Sequence, residues 1–321
     1  PLPHIYLNYG AEKLAFGVGM YVPYGLKTQW PLDFEGRFYS YDSGLHAVYI
    51  QPTVAYKPNE KFSIGGGLVI VQGSVELRRH LDLAELPVTG TPFTFGQIGI
   101  PPMTDFADLE LDADGASGVG ANLGFQAKLH ERFSIGARYM TEIKLDFDGE
   151  ARFEQIETGI LLPPGNPLGM PPGTPLDMVL AGSGLFDGGP LTTQPANTSL
   201  DMPAQFVVGI HALATEKLGL FFDYQWTGWS TFDEIVLDFT NPTTPQEIIV
   251  QNYENTSGVR FGVEYEASDK FVLQGGYIYN QAAAPDETVT PLLPEASRNN
   301  LTLGVGLRPS PAFELWVSYQ R

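Results

Sequence analysis

Phe133-Ser-Ile-Gly-Ala-Arg-Tyr-Met-Thr-Glu-Ile-Lys-Leu-Asp-Phe147 is the stretch that decides the fold class. Phe133, Ile135, Ala137, Tyr139, Thr141, Ile143, Leu145 and Phe147 fall on one side of a period of two. Ser134, Gly136, Arg138, Met140, Glu142, Lys144 and Asp146 fall on the other. Successive side chains of a strand point to opposite faces, so the stretch reads as one strand with an apolar and a polar wall. At roughly 3.3 Å per residue it is about 50 Å long, where a typical strand has about five or six residues. Tilted by about 45°, it still crosses a hydrocarbon layer of about 30 Å. The expectation is an all-β protein, a transmembrane antiparallel β-barrel.

The neighbouring runs repeat the pattern. Strands are expected near 4–9, 14–27, 45–57, 62–78, 117–129, 133–148, 204–214, 218–239, 257–267, 271–281, 298–308 and 313–320. Val119, Leu123 and Phe125 alternate with Gly118, Gly120, Asn122 and Gly124, and Leu301, Leu303 and Val305 with Asn300, Thr302 and Gly304. A wall with Leu, Val and Phe outside and Gly, amides and charges inside is inverted relative to a soluble barrel, which makes the polar face the lumen. Acid-base-apolar triplets begin five of the strands: Glu12-Lys13-Leu14, Glu60-Lys61-Phe62, Glu131-Arg132-Phe133, Glu216-Lys217-Leu218 and Asp269-Lys270-Phe271. Each marks a tight hairpin turn, and Pro309 to Phe313 reads as a sixth. The connections alternate short and long, the long ones near 28–44, 79–116, 149–203, 240–256 and 282–297, as at the two ends of an outer-membrane barrel.

Composition agrees. The 321 residues carry 43% hydrophobic residues, 36 Gly, 26 Pro and no Cys. No apolar run is long enough for a membrane helix. The net charge of -19 argues against nucleic acid as a partner, because a phosphate backbone selects Lys and Arg. Without Cys there are no disulfides, thiolate metal sites or Cys nucleophiles. The five His are scattered, and no cofactor is expected.

Several features stand out against this scaffold. Pro23-Tyr24-Gly25 interrupts an alternating strand, and a Pro without a ladder donor beside a Gly predicts a kink or bulge. Two long loops are unusually apolar. One holds Leu83, Leu86, Phe93, Phe95, Ile100, Met103 and Phe106; the other holds Leu161, Leu162, Met170, Met178 and Leu180. Such patches mark binding surfaces, and Met with Leu suits a greasy ligand; the same residues also read as a mini-core formed by two loops packing together. Thr174-Pro175 before Leu-Asp-Met-Val-Leu-Ala predicts a short helix ended by Gly182. Asp105, Asp108, Glu110, Asp112 and Asp114 are spaced like a Ca²⁺ loop but miss the EF-hand pattern, and a solvated acidic face is the preferred reading. Inward Arg138, Glu142, Lys144, Asp223, Arg260, Glu264 and Arg298 read as a mutually neutralising ladder.

Tyr21-Val-Pro-Tyr-Gly-Leu-Lys-Thr28, Asp223-Tyr-Gln-Trp-Thr-Gly-Trp-Ser-Thr-Phe232, Tyr139 to Gly149 and Leu292-Leu-Pro-Glu-Ala-Ser-Arg298 resemble, in order and spacing, the FadL family of outer-membrane transporters for long-chain fatty acids and other hydrophobic compounds. The resemblance covers essentially the whole chain. It implies a fourteen-stranded barrel, of which residues 1–321 form a single barrel domain of about twelve strands without the family's N-terminal hatch, Asn-Pro-Ala motif or final strand. It further implies capture of a hydrophobic small molecule between the two apolar loops, and lateral escape into the bilayer at Pro23, Tyr24 and Gly25. By the resemblance, Arg79 falls where a basic residue meets a fatty-acid carboxylate, but the second basic residue of that site aligns near Thr256 and is missing, and Arg79 reads equally as a solvated rim charge. The expected partners are that ligand and the lipids and lipopolysaccharide of a Gram-negative outer membrane, with the protein a monomer. Rival readings are a general diffusion porin and an outer-membrane lipid hydrolase. The second needs a lipid-facing Ser/His pair on a wall that is nearly all apolar.

Overall fold

The computed structural model describes residues 4–88, 91–166, 168–310 and 313–321. Among these residues sixteen strands join in one antiparallel sheet. They are β1 Ile5–Gly10, β2 Leu14–Gln29, β3 Asp42–Asn59, β4 Phe62–Asp82, β5 Asp105–His130, β6 Phe133–Met140, β7 Ile143–Gln155, β8 Gln194–Met202, β9 Gln205–Leu213, β10 Leu218–Thr227, β11 Glu234–Phe239, β12 Glu247–Val250, β13 Thr256–Ser268, β14 Phe271–Asn280, β15 Arg298–Ser310 and β16 Phe313–Gln320. Twelve of them form the wall in the order β1-β2-β3-β4-β5-β6-β9-β10-β13-β14-β15-β16. Its outward face exposes Leu123, Phe125, Phe261, Leu301 and Leu303, a surface suited to lipid rather than water. None of the described helices is long and apolar enough to cross a membrane.

All five acid-base-apolar triplets sit in tight hairpins, between β1 and β2, β3 and β4, β5 and β6, β9 and β10, and β13 and β14. At the sixth turn Pro311 and Ala312 lie outside the described residues, and β15 and β16 pair on either side of it. The expected helix is present as Leu176–Gly182, with Pro175 at its N-cap.

Two expected strands are each divided. The run 133–148 stops at Met140 and resumes at Ile143, and the run 218–239 stops at Thr227 and resumes at Glu234. After each break the chain leaves the wall. β7 pairs with β5 and β8, β8 pairs with β11, and β11 pairs with β12. β5 therefore serves two layers: Asn122 to His130 bond β6, while Ala107 to Ala113 bond β7. The expected loops shrink accordingly, the first to residues 83–104.

The first break also reverses the faces of the opening stretch. Ala137 and Tyr139 lie beside Phe125 and Leu123 on the outward face. Ile143, Leu145 and Phe147, expected on that same face, are instead buried in the lumen against Ala47, Tyr49, Val69 and Val71. Glycine makes the room. A Cβ on Gly118 or on Gly120 would stand 2.6 Å from Ile143, and one on Gly73 3.0 Å from Leu145. Burying three large apolar side chains is worth about 1.5–3 kcal/mol each, more than the about 0.5–1.5 kcal/mol of a wall hydrogen bond. The break itself loses little: Thr141 N donates to Ala121 O at 2.9 Å, and Ala121 N donates to Thr141 Oγ1 at 3.0 Å.

The lumen is therefore polar only on the side of the short turns. There Gln51 Oε1 accepts from Tyr21 Oη at 2.6 Å and from Asn122 Nδ2 at 3.1 Å. The expected ladder of opposite charges is replaced by amide partners. Arg138 donates to Gln205 at 3.1 Å, Arg260 to Gln225 at 2.8 Å, and Gln274 to Glu264 at 2.7 Å. Lys144 pairs with Asp146 at 3.0 Å, both exposed outside the wall strands. The acids at 105–114 stand in β5 rather than in a loop, where Asp105 meets Arg37 at 2.8 Å and Glu110 meets Arg78 at 3.0 Å.

Gly118→Val and Gly120→Val each crowd Ile143. The expected result is a loss of about 1–3 kcal/mol in urea unfolding, with higher conductance in planar bilayers as the hairpin lifts. Gly275→Val, whose Cβ meets nothing closer than 3.9 Å, is the control and leaves both unchanged.

Candidate functional site

At the Pro23 segment β2 carries an irregularity. Tyr21 faces Tyr49 and Tyr24 faces Ala47, so Val22 and Pro23 together oppose Val48 alone. That is a bulge: Pro23 has no N–H to give the ladder, and the extra residue re-aims Tyr24. The Tyr24 ring packs edge-on against Trp229 at 5.5 Å and tilted against Tyr49 at 6.1 Å. Its Oη accepts from Gln205 Nε2 at 2.5 Å and reaches Pro203 O at 3.4 Å. The kink is thus tied to the corner where the inner hairpin rejoins the wall at β9.

Two spaces meet beside it. The upper is a cleft of about 90 Å³ between the wall and the inner strands, lined by Leu26, Leu45, Val75, Leu77 and Leu111 on one side and by Leu200, Phe232, Ile235, Leu237 and Ile249 on the other. The lower is a cavity of about 430 Å³, lined by Pro23, Tyr24, Gly25 and Leu26, by Trp229, Phe232 and Tyr253, and by the polar residues Gln205, Gln225, Thr227, Asn280, Gln281 and Arg298. One wall of the cavity is aromatic and aliphatic, and its floor carries amides and hydroxyls together with the charged Asp201, Glu295 and Arg298. Tyr253, in the turn before β13, has its hydroxyl pKa pushed up to about 12 by burial and then by Glu295. It stays neutral.

The other sequence candidates lie elsewhere. Leu83, Phe95, Ile100, Phe106, Leu162 and Leu180 are buried against one another, with Leu86 half-buried beside them, so the two loops form a common core. Phe93, Met103, Leu161, Met170 and Met178 remain exposed on its outside. Arg79 is mostly buried and paired with Glu247 of β12, and it does not line either space. Thr256 does line the cavity. Sequence reading missed Leu26, Leu45, Leu200, Phe232, Ile235 and Leu237. The available signal was the run Asp223 to Phe232, whose Gly228 ends the wall strand and turns Trp229 and Phe232 inward.

A family model described as outer membrane protein transport protein (OMPP1/FadL/TodX) matches residues 2–321. The chain is 24% identical over 320 residues to outer membrane protein P1 of Haemophilus influenzae, covering 96% of this chain and 62% of the relative. It is 20% identical over 302 residues to the long-chain fatty acid transport protein of Escherichia coli, covering 92% and 63%. It thus spans about 62% of the length of the first of these curated relatives. Among solved structures, a Pseudomonas aeruginosa FadL homologue superposes with a TM-score of 0.81 at 24% identity, over 99% of this chain and 68% of that one. The Pseudomonas putida toluene transporter TodX gives 0.67 at 17% identity, over 99% and 76%. These likenesses establish the barrel fold.

If Arg79 serves to hold the inner strands, its contribution depends on Glu247. Arg79→Ala and Glu247→Ala are each expected to destabilise the protein, and a double-mutant cycle to give a coupling of about 1 kcal/mol. Additive losses contradict the pairing.

Proposed function

The chain belongs to the OMPP1/FadL/TodX family of outer membrane transport proteins, and on that premise we propose that it carries hydrophobic small molecules through the cleft and the cavity and releases them sideways at the β2 kink. The family is one of Gram-negative outer-membrane transport proteins, not of enzymes. One observation carries the reading. Pro23, Tyr24, Gly25 and Leu26 are consecutive and so alternate between the two faces of the wall, yet all four line one cavity. The bulge between Tyr21 and Tyr24 interrupts the β2–β3 ladder at this edge of the cavity, and past Met20 no described strand pairs with the other side of β2, so this part of the wall is the place for an opening.

The energetics favour such an exit. A cargo that passes from an apolar cleft directly into lipid keeps about 0.8 kcal/mol per CH₂ that it forfeits on entering water. The exposed Phe93, Met103, Leu161, Met170 and Met178 supply an apolar surface for first capture. Fatty acids and uncharged hydrocarbons both fit this description. Arg79 already holds Glu247, so a carboxylate at that residue has to displace a charged partner, while an uncharged cargo needs no exchange. The protein acts as a monomer among outer-membrane lipids and lipopolysaccharide. The porin reading is disfavoured by Ile143, Leu145, Phe147, Leu200 and Met202, which fill the upper lumen with apolar side chains.

Pro23→Val combined with Gly25→Val restores a regular strand. In a host lacking its own transporter, the full-length variant is expected to fold, shown by its heat-modifiable band, and to lose uptake of labelled fatty acid and alkylbenzene alike. Undiminished uptake by the folded variant rules out the lateral route.

A further inference from the structure

We propose that Phe232 sets the width of the transport path, passing slender chains readily and ring systems only when its own ring moves aside. The inference rests on the transport reading above. Leu26, Leu45, Leu200, Phe232 and Leu293 line both the cleft and the cavity, so the two spaces meet at these five side chains. Leu26 and Leu45 face each other across paired wall strands, and Leu200 is buried in the lumen cluster. None of these three strands, β2, β3 and β8, can shift without breaking ladder hydrogen bonds.

Phe232 is held differently. It follows the short 3-10 turn Trp229–Thr231, outside any strand. Its backbone is fixed on both sides: its N–H donates to Trp229 O at 2.9 Å, and its carbonyl accepts from Tyr253 N at 3.2 Å. The ring, by contrast, is half-buried and packs edge-on against Tyr253 at 4.9 Å and Trp229 at 6.5 Å. The ring also packs on the lumen cluster of Leu200 and Met202, and a change of its rotamer is a local motion that leaves the backbone in place. A fixed backbone bearing a movable aromatic ring at a junction is a gate.

The volume indicates what the gate decides. The cleft holds about 90 Å³, less than the roughly 150 Å³ of an apolar cavity that takes up benzene. An extended alkyl chain can occupy it as it stands. A benzene-sized or fused ring needs extra room at the end where the cleft meets the cavity; of the five side chains there, Phe232 and Leu293 stand outside the strands, and Phe232 is the larger. The specificity of the path is therefore for cross-section, with uncharged aliphatic chains passing most easily.

The test uses the full-length protein in the transporter-deficient host, with initial uptake rates of n-decane, propylbenzene and phenanthrene normalised to folded barrel at the surface. Phe232→Ala is expected to raise the phenanthrene-to-decane ratio by about tenfold, the discrimination that one or two methylenes supply in an apolar pocket. Phe232→Leu is expected to raise it less, and Phe232→Trp to lower both ring-to-decane ratios. A residue that only supports the fold scales all three rates together. Unchanged ratios in active variants overturn the gate while leaving the transport reading in place. Absence of uptake of every probe by the unaltered protein removes both. If the Ala variant does not fold, the Leu and Trp variants decide by the same ratios.

Discussion

The seating of Ile143, Leu145 and Phe147 on glycines inside the wall is the contact on which the rest of the structure depends. A barrel of this length with a polar inner face throughout would be an open pore. Because β5 pairs with β6 over one half and β7 over the other, the sheet forks, and its inner branch lays an apolar surface across the upper lumen. The cleft exists because that branch, continued by β8, β11 and β12, stands opposite β3 and β4. The same branch returns to the wall through Met202, Pro203 and Gln205, whose contacts with Tyr24 brace the β2 kink. Plug, cleft and kink are thus consequences of one packing choice.

The polar half of the lumen follows a different rule. An unpaired charge in a poorly solvated interior is costly, and this barrel meets the cost mainly with amides. Gln205 and Gln225 each accept from an arginine and present the remaining NH₂ to a hydroxyl, of Tyr24 in one case and Thr227 in the other. The floor of the cavity thereby sets these amides beside the charged Asp201, Glu295 and Arg298.

The barrel was legible because alternation and turns are local signals. Phe133 to Tyr139 and the five charged triplets place the hairpins from short stretches of sequence, and Pro23 with Gly25 marks a flaw in a strand from chemistry alone. What stayed hidden was non-local. Thr141 keeps the apolar period intact, so nothing in the alternation shows that the strand leaves the wall there; the deciding partners are Gly118 and Gly120, more than twenty residues earlier. Those glycines read correctly as small inner positions, but what they make room for depends on the fold. The apolar loops met the same limit. Leu83 and Phe95 look alike as candidates for binding or for core until Leu162 and Leu180 are seen against them. Arg79 was legible as a charge but not as half of a pair with Glu247, 168 positions away.

The central claim is that cargo travels through the cleft and leaves at the kink. The most direct measurement is photocrosslinking of a diazirine-bearing alkyl probe to the full-length protein in membranes, with adducts mapped by mass spectrometry. The account requires adducts at Leu26, Leu45, Leu200 and Phe232 and around Pro23 to Gly25. Adducts confined to the turn-side lumen, at Gln51, Asn122 and Gln274, would mean that cargo runs down the barrel axis and would contradict it.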